Sequence, residues 1–98
     1  MPYHGFRMRR LHKKLFRITD RLHELAEEEA GLLQELDMHR SIDGDAQRDA
    51  ATGNYIDREE AGLTAADVAR FERSLRSVRD KRAKLDSTRL RLLERLER

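Results

Sequence analysis

His4, His12, His23 and His39 are the side chains best placed by type to bind a metal or move a proton near neutral pH. Metal chemistry on a helix needs ligands repeated on one face, as in HExxH or Glu-x-x-His, and neither pattern occurs. His23/Glu27 and Glu35/His39 do stand four apart, but charged helices produce such pairs routinely. His39 also falls in phase with the apolar seam described below, where a hydrogen-bonded core histidine is the simpler reading. The stretch Asp43-Gly44-Asp45 opens like a calcium loop. Such a loop requires Gly at its sixth position and Glu at its twelfth, and here those positions hold Arg48 and Asn54. Ser41, Ser74, Ser77 and Ser87 lack a nucleophile-elbow motif, and no Gly-rich loop could cradle a phosphate. With no Cys, disulfides, thiolate metal sites and Cys nucleophiles are excluded. No catalytic, metal-binding or cofactor-binding residue is therefore assigned, and the expectation is a binding protein rather than an enzyme.

The elements that must position any binding surface are helices. Charged residues make up 41% of the 98 and aromatics 5%, the profile of long helices and coiled coils rather than of a sheet protein. So much charge is also compatible with disorder, and periodicity decides between the two. Leu11, Leu15, Ile18, Leu22, Leu25, Leu32 and Leu36 keep a heptad phase with one interruption at Glu29. Val68, Phe71, Leu75, Val78, Leu85, Leu92 and Leu96 do the same, with Arg82 and Arg89 in the skipped positions. The reading is all-α: one domain of two long helices, 8–40 and 64–97, forming an antiparallel coiled-coil hairpin after a frayed start at 1–7. In that pairing Leu36 lies level with Phe71 and Leu11 with Leu96. Thr64 and Asp67 resemble a capping box that would open the second helix. Gly53 and Gly62 read as stops and Gly44 as a breaker, which leaves 41–63 as the connection. A structureless loop of that length is uncommon, so short helical turns are expected at 45–52 and 57–61, with Tyr55, Ile56 and Leu63 packed over the hairpin end.

A second apolar set lies beside the seam: Phe6, Phe16, Ala26, Ala30 and Leu33 in the first helix, Ala69, Ala83, Leu90 and Leu93 in the second. One hairpin cannot bury both sets. Phe16, Leu33, Leu90 and Leu93 are therefore candidates for an oligomer interface, most simply a homodimeric four-helix bundle. No apolar run reaches the 18 residues of a membrane span and no signal-like stretch follows the basic start, so a cytoplasmic location is expected.

Charge is segregated along the chain. Residues 1–23 carry a balance of +6, residues 24–67 of −10 and residues 68–98 of +6. In a hairpin the two basic blocks meet at the open end and the acidic block occupies the bend. Arg7, Arg9, Arg10, Lys13, Lys14, Arg17, Arg91 and Arg95 are accordingly candidate contacts for phosphate, with nucleic acid the ligand that pattern suits. Asp43, Asp45 and Asp49 are candidate contacts at the acidic bend. They lie within Asp43-Gly44-Asp45-Ala46-Gln47-Arg48-Asp49-Ala50-Ala51, and a long hairpin carrying them at its bend resembles the coiled-coil arm of the Gre and DksA transcription factors. That resemblance covers the hairpin only, without the globular domain of the Gre factors or a zinc finger. It implies a regulator that enters the secondary channel of RNA polymerase and presents tip carboxylates near the active-site metal. The expected function is protein–protein interaction through helix faces and the acidic bend, with nucleic-acid binding at the basic end and polymerase regulation as the alternatives.

The basic start opposes the helix dipole, whose positive end favours acids by about 0.3–1 kcal/mol per charge. Reversing Arg9, Arg10, Lys13 and Lys14 to Glu is expected to leave the thermal midpoint level or raise it. The same change should abolish any phosphate binding at this end, read by titration with a labelled oligonucleotide.

Overall fold

A stripe repeating every three or four residues is buried only against another helix, and the chain supplies that helix itself. The computed structural model describes residues 2–97 of the backbone and the side chains of residues 5–97. Two helices make up the fold, α1 (Pro2–Thr52) and α2 (Tyr55–Glu97), packed antiparallel as a hairpin. Contacts divide the hairpin into two units: residues 1–28 with 78–98, and residues 29–77 around the turn.

In the first unit the seam buries Ile18, Leu25, Val78 and Leu92, with Leu11, Leu15, Leu22, Leu85 and Leu96 half-buried. Leu25 is 0% exposed, so its replacement by Ala would cost about 2–5 kcal/mol through lost burial and the cavity left behind. Arg21 donates to Glu24 at 2.9 Å and to Glu28 at 3.5 Å on the surface of this unit. The Glu24 hydrogen bond, with Glu28 adding its charge, raises the Arg21 guanidinium above its ordinary pKa. It is charged at any working pH regardless.

In the second unit the seam changes chemistry without losing phase. α1 continues through Leu32, Leu36, His39, Asp43, Ala46 and Ala50, and α2 runs back from Leu75 through Phe71, Val68, Thr64 and Ala61 to Asp57. Leu36 is 1% exposed, and Ala46, Ala61, Thr64 and Leu75 are buried with it. His39 stacks on Phe71 with ring centroids 4.6 Å apart, and its Nε2 lies 3.9 Å from Glu35. Arg40 reaches Glu72 on the opposite helix at 3.6 Å.

The connection is Gly53 and Asn54 alone, in place of the segment 41–63 expected from sequence. Gly44 and Gly62 lie inside helices. A mid-helix Gly costs only about 1 kcal/mol relative to Ala, less than the packing of a continuing seam returns. The seam was hidden because its residues here are His, Asp, Ala and Thr rather than Leu. Thr64 and Asp67 do not cap: Thr64 is buried mid-helix, and Asp67 pairs with Arg70 at 3.3 Å. Tyr55, Ile56 and Leu63 are exposed rather than folded over the end, because they fall on the side of α2 away from Asp57, Ala61 and Thr64. At the other end α1 begins at Pro2. Met1, part of the start at 1–7, lies outside the described residues.

Asn54 is the true cap of α2. Its Oδ1 accepts from the backbone N–H of Ile56 at 3.0 Å and of Asp57 at 3.2 Å, while Asp57 Oδ2 accepts from Asn54 N at 3.2 Å. This reciprocal pair satisfies helix-start donors that would otherwise have no partner. Gly53 has no positive φ, and its role is close approach. A Cβ there would meet the Asp49 carbonyl oxygen at 2.5 Å and crowd the Asp57 carboxylate. Asn54→Ala is expected to lower stability by about 1 kcal/mol and Gly53→Ala by about 1–3 kcal/mol, both measured as shifts in the urea midpoint.

Candidate functional site

Around the turn, the first question is which carboxylates face outward. Asp43 does not, for it occupies a seam position. Its Oδ1 accepts from the Thr64 hydroxyl at 2.8 Å and from Gln47 Nε2 at 2.9 Å. Gln47 Nε2 also donates to the Ala61 carbonyl oxygen at 3.0 Å, and the Thr64 hydroxyl lies 3.1 Å from that same oxygen. The four residues form a polar layer across the two helices. Among the described residues no buried side-chain nitrogen or oxygen lacks a partner. Such a layer fixes register, because sliding one helix past the other would strand its polar groups in an apolar seam. Asp45 is exposed and pairs with Arg48. Asp49 is exposed one turn before Gly53. The three acidic-bend candidates thus have three different surroundings, and they do not converge on one site.

The second unit also carries a surface that the heptad reading passed over. Ile56 and Leu63, 67% and 61% exposed, stand seven residues apart on the outer side of α2. Glu59 and Glu60 lie between them and are exposed as well. Ile56, Glu59, Glu60 and Leu63 therefore form one acidic-apolar strip at i, i+3, i+4 and i+7 spacing. The sequence signal was present as an apolar pair out of phase with the seam, but a connection assigned to 41–63 leaves no helix for it to lie on. Residues 29–77 hold eleven Asp/Glu against six Lys/Arg. Leu33, Met38 and Ile42 add exposed apolar side chains to this unit.

The first unit has the opposite sign, with fifteen Lys/Arg against eight Asp/Glu. The start of α1 and the end of α2 enclose an open concavity of about 1130 Å³. Phe6, Met8, Leu11 and Leu92 supply its apolar surface. Arg7, Arg10, Lys13, Lys14, Arg17 and Arg95 supply its charge, and among the described residues no acidic side chain lines it. The structure thus brings six of the eight candidate anion contacts together in one groove. Arg9 and Arg91 lie outside it, and Arg91 Nη2 donates to the Thr88 hydroxyl at 3.1 Å. Arg10 stands 5.9 Å from the centre of the Phe6 ring, a cation–π contact at an exposed site. Among the described residues none of the groove cations has an ion-pair partner, and the first turn of α1 contains no acid.

Of the candidate oligomer contacts, Phe16 is 69% exposed, Leu90 63% and Leu33 42%, while Leu93 is half-buried beside the seam. Among the described residues no group of three or more His, Asp or Glu is arranged to hold a metal ion, and no described helix is long and apolar enough to cross a membrane.

The polar layer yields a specific expectation. Thr64→Val keeps the shape but removes the hydroxyl shared between Asp43 and the Ala61 carbonyl, and should lower stability by about 1–2 kcal/mol. Thr64→Ser should retain most of it, both read from urea unfolding followed by circular dichroism. Compared with known proteins, the chain matches no family model, no curated protein and no solved structure, so its function has to be read from these surfaces.

Proposed function

We propose that the chain is a non-enzymatic interaction protein whose outward helix faces join other helices into a larger bundle, a second copy of itself among them. The observation that carries this reading is the set of large apolar side chains left in water after the seam is buried. Phe16, Ile56, Leu63 and Leu90 are each more than three-fifths exposed. Single exposed apolar residues are ordinary on any surface. Here they recur on the outer face of both units, with charged residues beside them, as helix-in-groove recognition requires.

A second reading, phosphate or nucleic-acid binding at the basic end, is favoured by the groove whose cations have no ion-pair partner among the described residues. Contacts to phosphate need only Lys and Arg and fall steeply with salt. Stacking by bases would draw on Phe6 and Phe16. The polymerase-channel reading gains from the tight two-residue turn and loses from Asp43 and Asp45, which are engaged within the hairpin.

A photo-crosslinking residue placed at Phe16 or at Leu90 distinguishes the two leading readings. Adducts to protein, resistant to nuclease, are expected in cells. Adducts that are nuclease-sensitive, together with a 260/280 nm absorbance ratio in the purified protein that collapses at higher salt, would replace the first reading with the second. With two Tyr and no Trp the chain absorbs weakly, so bound nucleic acid would dominate that ratio.

A further inference from the structure

The groove of the first unit and the strip of the second are complementary in charge, in apolar content and in form. The groove is concave, apolar at the exposed Phe6 and the half-buried Met8 and Leu11, and bordered by Arg10, Lys14 and Arg95. It is open to solvent rather than closed over, so it can receive the face of another helix. Its charge calls for an acidic occupant, and its apolar surface for one that also buries aliphatic side chains. The strip is a ready-folded convex helix face with both properties: Ile56 and Leu63, exposed, about 10.5 Å apart along the axis at 1.5 Å per residue, with the exposed carboxylates of Glu59 and Glu60 between them. Among the described residues neither glutamate has an ion-pair partner.

We infer that the groove binds the 56–63 strip of a second copy of this chain, Ile56 and Leu63 entering against Phe6, Met8 and Leu11 while Glu59 and Glu60 meet Arg10, Lys14 and Arg95. The inference rests on the interaction-protein reading and names the partner. Two different patches meet, either head to tail or exchanged reciprocally about a two-fold axis. Bringing the oppositely charged units together offsets repulsion within each, and the association weakens as salt screens the outer charges. A membrane or nucleic-acid ligand would satisfy the cations of the groove but leave the acidic strip without a role.

The test uses two double variants of the full chain, Arg10→Glu with Lys14→Glu in the groove and Glu59→Lys with Glu60→Lys in the strip. Molar mass is read by light scattering and sedimentation over a concentration series at low and moderate salt, with circular dichroism verifying helix content. The wild type should exceed its monomer mass of 11.6 kDa. Each double variant should associate at least about 100-fold more weakly, since like charges then face each other. Mixing the two variants should restore association, because each supplies the charge the other now requires. A wild type that stays monomeric throughout, or a mixture that stays monomeric, overturns the inference. Association that survives in both variants but is lost in Phe16→Lys with Leu90→Lys overturns it too, yet leaves the interaction-protein reading standing. Groove variants that lose only co-purifying nucleic acid would defeat both.

Discussion

The two-residue link between the helices governs much of the structure around the turn. Gly53 and Asn54 leave three Cα–Cα steps between the end of α1 and the start of α2, at most about 11 Å of chain. The helices must therefore lie as close there as packed helices ordinarily do, about 8–10 Å between axes. Close approach demands small or mutually satisfied side chains in the seam. That is what Ala46, Ala50, Ala61 and the Asp43–Gln47–Thr64 layer provide, where Leu occupies the equivalent positions further along. The same tightness explains why residue 53 is Gly without a left-handed φ, and why Asn54 and Asp57 must share the capping of α2 between them.

With the seam so committed, the outer sides of the same helices take no part in holding the hairpin together. Leu25 and Leu36, with the buried residues around them, hold the hairpin together. The ion pairs add little, because most join exposed side chains on one helix, where each is worth about 0–1 kcal/mol. The outer faces are left available for recognition, and their charge is sorted by unit. The first unit is basic with an apolar groove, and the second is acidic with an apolar strip. Sorted charge is a cost within each unit. It becomes a gain only when a surface of the opposite sign arrives.

The helices themselves were legible because Leu, Ile and Val at heptad spacing are a strong signal over several turns. The signal failed where the seam had to serve the turn. Asp43, Ala46 and Ala50 in α1 and Asp57, Ala61 and Thr64 in α2 keep phase but not hydrophobicity, so the reading stopped at residue 40 and resumed at 64. Gly44 and Gly62 add to the ambiguity, since a glycine beside weak periodicity looks like a helix end. The capping signal was misplaced for the same reason. Asn54 and Asp57 form the Asn-x-x-Asp pair that opens α2, while Thr64 and Asp67 share that spacing but lie three turns inside it.

By itself the sequence determined the helical class, the phase of both seams, the separation of charge into blocks and the surplus of apolar residues beyond what two helices can bury. These follow from local periodicity and composition, which need no knowledge of what lies opposite. Only the tertiary structure decided where the chain turns, that Asp43 faces Thr64 and not solvent, and that six scattered cations converge on one groove. Each of these depends on which residue of α1 stands across from which residue of α2. That register is set by a tight link and a polar layer whose partners lie up to 21 residues apart.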